Sequence, residues 1–188
     1  MKLIILGPPG SGKGTQARML AKQFKLNYIG VGKILRDNIK KKTKIGLIIK
    51  ELIDKGDLAP DEIVDSIVNK EIKRKKNYII DGFPRNIKQA KGFKGDVDKT
   101  IYLTSSKKNI IKRLLLRKGS RADDNFKIIK HRLKVYKKDT FPVIRFYKKK
   151  RLLLKINGNP KIEEIYEDLK KKLNKIFFSK NSRWKFSS

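Results

Sequence analysis

At 188 residues the chain has the length of one ordinary domain, enough to bury a core without disulfides or metals. It contains no cysteine, which excludes a disulfide framework, a Cys-ligated zinc and a thiol nucleophile, and suits a reducing compartment. The 50 Lys and Arg against 18 Asp and Glu give a net charge of +32, a field that attracts ATP, nucleic acid and anionic surfaces. The lysine runs at 40–42, 73–76, 148–150 and 170–172 fall at helix ends without interleaved aromatics. They read as solvated surface that binds nucleic acid weakly and without specificity at low salt.

The apolar run Lys2 to Leu6 predicts a first strand, and GPPGSGKGTQ, Gly7 to Gln16, follows it directly. Gly10, Gly12 and Gly14 lack Cβ atoms, so successive N–H groups can curl around an anion. A helix predicted over 15–24, opening near Lys13, points its positive end at the same spot, and the Lys13 ammonium reaches terminal phosphates. With Ser11 and Thr15 these residues form a candidate ATP cradle. The strict GxxxxGK[ST] pattern is not met, because Gly14 follows Lys13 and Thr15 comes one place later. With the cradle starting at Gly7, no cleavable leader is expected, and no apolar stretch approaches the ~20 residues of a membrane span. A soluble cytoplasmic monomer without membrane contact is expected.

Further strands are predicted over 26–29, 77–81, 97–103 and 152–156. Helices are predicted over 33–41, 45–55, 61–72, 107–117 and 124–147. Gly56 ends one of these, and Pro60, Asp61 and Glu62 open the next with proline and acids in the first turn. Asn159 and Pro160 start a last helix with the apolar stripe Ile162, Ile165, Tyr166, Leu169, Leu173, Ile176 and Phe177. The alternation predicts an α/β fold, a five-stranded parallel sheet flanked by helices, in one domain over 1–178. Residues 179–188, SKNSRWKFSS, lack periodicity and read as a disordered basic tail.

A second motif, DGFPR at Asp81 to Arg85, closes the strand over 77–81. An acid there can hold water on a Mg²⁺ ion beside the cradle, and Arg85 can clamp a second phosphate. GPPGSGKGTQ and DGFPR at this separation resemble the adenylate kinases, within the nucleoside monophosphate kinases, and the likeness runs from Met1 to about Leu173. The resemblance implies a P-loop kinase fold, ATP and AMP as partners, Mg²⁺ as cofactor, and the reaction Mg·ATP + AMP = 2 ADP. It also implies an acceptor-binding helical segment at about 30–59, and it assigns Pro160 to the ATP side. On the AMP side it places Val31, Arg36, Asp57, Leu58, Ala59, Gly82, Phe83, Pro84, Arg85, Gln89, Arg121 and Arg132, and it adds Arg117 to the ATP side. The Gln89 amide offers one donor and one acceptor to an adenine edge. Related uridylate and cytidylate kinases usually carry Asn there, so Gln89 favours AMP.

The stretch Arg113 to Asn125 resembles the family's lid, with Arg117 and Arg121 separated by three residues and the lid itself at about 117–122. This is the short form, without an inserted zinc domain. Arg132, beside the stripe Ile129, Leu133 and Tyr136, completes the catalytic set of Lys13, Arg85, Arg117, Arg121 and Arg132. An ion pair with Asp123, Asp124 or Asp139 is the plainer role for Arg132. Guanidinium forks suit phosphoryl transfer, where charge builds on equatorial oxygens and no general base is needed. His131 is expected as a helix-surface residue. Two positions depart from the family's STGD: Val31 removes a hydroxyl and Lys33 replaces an acid. A pyrimidine monophosphate kinase, favoured by Val31, is the alternative enzyme. An RNA- or ribosome-associated nucleotide-binding protein is the alternative of another class.

Overall fold

The computed structural model of the chain describes residues 1–116 and 126–179. Five strands, β1 (Lys2–Leu6), β2 (Asn27–Gly30), β3 (Tyr78–Asp81), β4 (Lys99–Thr104) and β5 (Leu153–Asn157), form one sheet in the order β2-β3-β1-β4-β5. Every pairing is parallel. The central strand β1 is apolar from Leu3 to Leu6 because helices cover both faces of the sheet. Its alternate residues feed two separate cores. Ile4 and Leu6 join a core that includes Leu35, Ile49, Val64, Val143 and Tyr147. Leu3 and Ile5 join another with Leu20, Leu169 and Leu173.

The helices of the first core are α2 (Val31–Lys40), α3 (Lys44–Lys55), α4 (Asp61–Ile72), α5 (Ile87–Gly92) and, further along the chain, α8 (Phe141–Lys149). The second core is closed by α1 (Lys13–Gln23) and α9 (Ile162–Phe178). In α9 the expected stripe is buried at Ile165, Leu169, Leu173 and Phe177, whereas Ile162 is exposed. A small third cluster joins α6 (Lys107–Leu115) to α7 (Phe126–Val135) through Ile110, Leu114 and Ile129. No helix among the described residues is long and apolar enough to cross a membrane.

Three expectations from the sequence are corrected. The stretch expected as one helix over 124–147 is helical without a break over 126–149 but not α throughout: α7 passes into a π-helical turn, Tyr136–Thr140, before α8 begins. Pro142 lies in the first turn of α8, where its missing N–H and its ring are tolerated, and a continuous α-helix through it would clash with the carbonyl four residues back. Helix α5 is an element with no counterpart among the expected helices: at six residues it is too short to show periodicity and is marked instead by its cap, Asn86, whose Oδ1 accepts from Gln89 N at 2.9 Å. Asn159 and Pro160 do not start α9, which is capped at Lys161. Asn159 Oδ1 instead accepts from Ser106 N (2.8 Å) and Asn109 Nδ2 (3.1 Å), fastening the loop before α9 to α6. The lid at 117–122 and residues 180–188 of the tail lie outside the described residues.

Ile4 has no exposed surface, and Leu47 on α3 is 65% exposed. Ile4→Ala is expected to cost about 2–5 kcal/mol in urea unfolding and Leu47→Ala no more than about 0.5 kcal/mol. Equal costs would contradict the core assignment.

Candidate active site

Parallel strands end together, and the cleft lies beyond the carboxyl ends of β1 and β3, as expected for an open α/β sheet. Its volume is about 470 Å³. The chain leaving β1 turns through Gly12, whose φ of +92° is a left-handed value that favours glycine, and enters α1. The Thr15 and Gln16 N–H groups both close on Gly12 O at 3.1 Å, and Ser11 N closes on Pro8 O at 3.2 Å. Lys13 Nζ donates to Pro8 O at 2.8 Å, so the ammonium is held across the mouth of this loop. Gly10, Gly12, Lys13, Gly14 and Thr15 line the cleft. Ser11 is fully buried and contributes its backbone to the loop, and its side chain is not part of the lining.

The second wall comes from the end of β3. Gly82 has φ +88°, and Arg85 Nε returns to donate to Gly82 O at 2.9 Å, folding the guanidinium back over the turn. The Phe83–Pro84 bond is cis; Pro84 lines the cleft, while Phe83 is buried in the core against Phe93. A Cβ placed on Gly32 would lie 3.3 Å from Arg36 Nη1 and 3.9 Å from Arg85 Nη2, so the guanidiniums of α2 and of the β3 turn converge over that glycine. Gln89, 1% exposed, lines the same part of the cleft, with Val31 at the head of α2.

The third wall is the turn between α3 and α4, Gly56 to Ala59, resting on α7. A Cβ at Gly56 would meet Arg132 Cγ at 2.8 Å and Ile128 Cγ2 at 3.0 Å, which measures how closely the turn is seated. Asp57, Leu58, Ala59 and Arg132 all line the cleft. His131 is not the simple surface residue expected: its Nε2 lies 2.6 Å from Asp57 Oδ1 and links α7 to the turn.

Asp81 stands beside the phosphate loop and accepts a hydrogen bond from the Tyr28 hydroxyl at 3.2 Å. Burial, and then the adjacent Asp81 carboxylate, raise the Tyr28 phenol above its ordinary range. The Arg18 guanidinium lies 5.8 Å from the Tyr28 ring centroid. Among the described residues no group of three or more His, Cys, Asp or Glu side chains could hold a metal by itself. A single carboxylate beside a phosphate cradle nevertheless suits Mg²⁺, which keeps several waters and takes further oxygens from substrate phosphates. Lys33 pairs with Asp37 at 2.5 Å along its own helix, and that pairing lowers the Asp37 carboxyl below its usual range. Pro160 lies outside the cleft; its carbonyl accepts from Arg113 Nη2 at 3.2 Å. Arg117 and Arg121 lie outside the described residues.

A family model described as adenylate kinase matches residues 5–152. The chain belongs to the adenylate kinase family. It is 37% identical to the adenylate kinase of Encephalitozoon cuniculi over 172 residues, covering 92% of this chain and 97% of that protein. It is 38% identical to the adenylate kinase of Prochlorococcus marinus strain NATL2A, covering 92% and 98%. With the adenylate kinase of Caldanaerobacter subterraneus it is 35% identical, covering 92% and 96%, but that alignment spans 212 positions. The greater span for the same share of this chain means that the Caldanaerobacter relative carries residues that this adenylate kinase family member lacks.

Tyr28, Arg18 and Thr140 also reach the cleft and were not read from the sequence. Strand alternation could have pointed to Tyr28, two places before Gly30. Thr140, whose Oγ1 donates to Arg85 O at 2.8 Å, depends on the π-helical turn and had no local signal. At Gly82 the left-handed backbone predicts that Gly82→Ala costs about 1 to 2 kcal/mol in chemical denaturation. Gly92→Ala, with nothing within 4 Å of the added Cβ, should cost less than half of that. Equal effects would mean that the β3 turn is not held as described.

Proposed function

We propose that the chain catalyses Mg·ATP + AMP = 2 ADP in the cytoplasm, with the terminal phosphoryl group passing directly between the two nucleotides. The convergence of Arg36 and Arg85 over Gly32, in the same cleft as the Lys13 loop, is the observation that carries this reading, because it offers two anion sites to two phosphorylated ligands. The bond from the γ-phosphorus to its bridging oxygen breaks, and a bond forms to an oxygen of the AMP phosphate. Lys13 and the N–H groups of the phosphate loop hold the donor phosphates. Arg85 and Arg132, joined by Arg117 and Arg121, offset charge on the transferring group. Arg36 holds the acceptor phosphate, Gln89 reads the base, and Val31 with Asp57, Leu58 and Ala59 shapes the acceptor pocket. Mg²⁺, placed through water by Asp81, would supply charge neutralisation at the phosphate oxygens. The acceptor oxygen is already ionised at neutral pH, its second pKa lying near ~6, so no side chain needs to remove a proton. Water must be kept from the donor, which is the work of closure around both ligands.

Lys13→Ala or Arg85→Ala is expected to lower kcat/KM by a few hundredfold, about 3 to 4 kcal/mol, in a coupled assay of ADP formation. Variants within threefold of the parent would overturn the assigned roles. AMP should exceed CMP and UMP in kcat/KM by at least about tenfold, the scale of one lost hydrogen bond to the base. Equal use of CMP would take base recognition away from Gln89.

A further inference from the structure

A primary amide keeps nearly the same shape when it is turned over, so a glutamine distinguishes a 6-amino from a 6-oxo purine only if its two ends are fixed. Both ends of the Gln89 amide are fixed here, by partners of opposite kind. Oε1 accepts from Arg85 N at 2.7 Å, and Nε2 donates to Asp61 Oδ1 at 2.7 Å. A backbone N–H can only donate and a carboxylate can only accept, so turning the amide over would set donor against donor and oxygen against oxygen. With Gln89 1% exposed, water is not at hand to relieve that mismatch.

Asp61 is itself well anchored. It sits in the first turn of α4, where the helix dipole favours an acid, and its Oδ1 also accepts from Asn86 Nδ2 at 2.8 Å. Asn86 in turn caps α5, the helix that carries Gln89. The same carboxylate oxygen therefore holds both the reading side chain and the residue that starts its helix.

We propose that Asp61 is a positioning residue that sets the polarity of the Gln89 amide and thereby selects 6-aminopurine over 6-oxopurine monophosphates. The proposal rests on Gln89 as the base reader. Once the two internal bonds are made, one Oε1 lone pair and one Nε2 N–H remain for the ligand. Adenine offers an amino donor at position 6, which Oε1 can accept; a 6-oxopurine places an acceptor there, facing the same oxygen. Asp61→Asn keeps the shape but replaces a charged, acceptor-only carboxylate by a neutral amide with one donor end, which weakens the hold on the Nε2 end of Gln89.

The test is steady-state kinetics of the full chain with AMP and IMP as acceptors, for the parent, Asp61→Asn and Gln89→Leu. Asp61→Asn is expected to lower the AMP-to-IMP ratio of kcat/KM at least fivefold, with KM for AMP raised and KM for ATP within twofold of the parent. A smaller change in the ratio overturns the proposal, as does a parent that uses AMP and IMP equally well. Gln89→Leu separates the two levels of inference. If it leaves KM for AMP unchanged, the reading of Gln89 fails; if it raises KM while Asp61→Asn keeps the ratio, only the role of Asp61 fails. Should Asp61→Asn not fold, Asp61→Ser keeps a residue suited to the start of α4 while removing the carboxylate. It is held to the same fivefold threshold.

Discussion

Six cationic side chains, Lys13, Arg18, Lys33, Arg36, Arg85 and Arg132, line one cleft in which the described acidic residues are Asp57 and Asp81. Like charges gathered in a concave, partly desolvated space repel one another more strongly than they would on an open surface. The N-terminal end of α1 adds its own partial positive charge at the same place. The arrangement is therefore poised for an anion and requires a rigid frame. Local ties supply part of that frame: Lys13 to the Pro8 carbonyl, and Arg85 to the Gly82 carbonyl. The rest comes from the strands. β1 and β3 are paired side by side, and Leu3, Ile4, Ile5, Ile79 and Ile80 are fully buried, so the two loops that leave their ends cannot drift apart without opening the core.

Because β1 sends alternate side chains into two cores, the phosphate loop is coupled to both halves of the molecule. On one face, Gln16 Nε2 ties α1 to the Ile162 carbonyl at the start of α9. On the other, the Thr140 hydroxyl of the π-helical turn holds the Arg85 carbonyl, and the Gly56 turn is seated on α7. The acceptor side is thus assembled from α2, the α3–α4 turn, the β3 turn and α7, which meet only in the folded chain. His131 and Asp57, 74 residues apart, show the same principle.

What the sequence made legible follows from this division. Contiguous signals were read well: the phosphate loop, DGFPR, the five strands to within two residues, and α4 at its observed bounds, because Pro60 with Asp61 marks its start. Non-contiguous devices were not. Nothing near His131 signals Asp57, and nothing near Gln89 signals Asp61, since the first pairing exists only once the α3–α4 turn rests on α7 and the second only once α4 packs beside α5. The π-helical turn was hidden because the stripe Ile129, Leu133, Tyr136 runs up to it with helical spacing and apolar residues resume beyond it at Val143, Ile144 and Tyr147. Asn159 misled for a different reason: the side-chain oxygen that makes Asn a good helix cap serves equally well to fasten a loop, and here it binds α6.

The distribution of charge separates two uses of basic residues. Lysines pair with acids one turn away along exposed helix faces, as in Lys50–Asp54, Lys55–Glu51 and Lys172–Asp168. Such exposed pairs contribute little to stability and fade with salt. Each draws on one of the chain's 18 acids, too few to offset 50 Lys and Arg, so the positive excess stays dispersed in solvent. Arg36, Arg85 and Arg132 stand in the cleft instead, where a planar fork can meet two phosphate oxygens and less solvent screens the contact. The high net charge and the concentrated cleft charge are accordingly distinct features. Spread lysines raise the long-range attraction of any polyanion, and the converging guanidiniums, with Arg85 held by the Gly82 carbonyl at the end of a buried sheet, favour a ligand whose phosphates fit their positions.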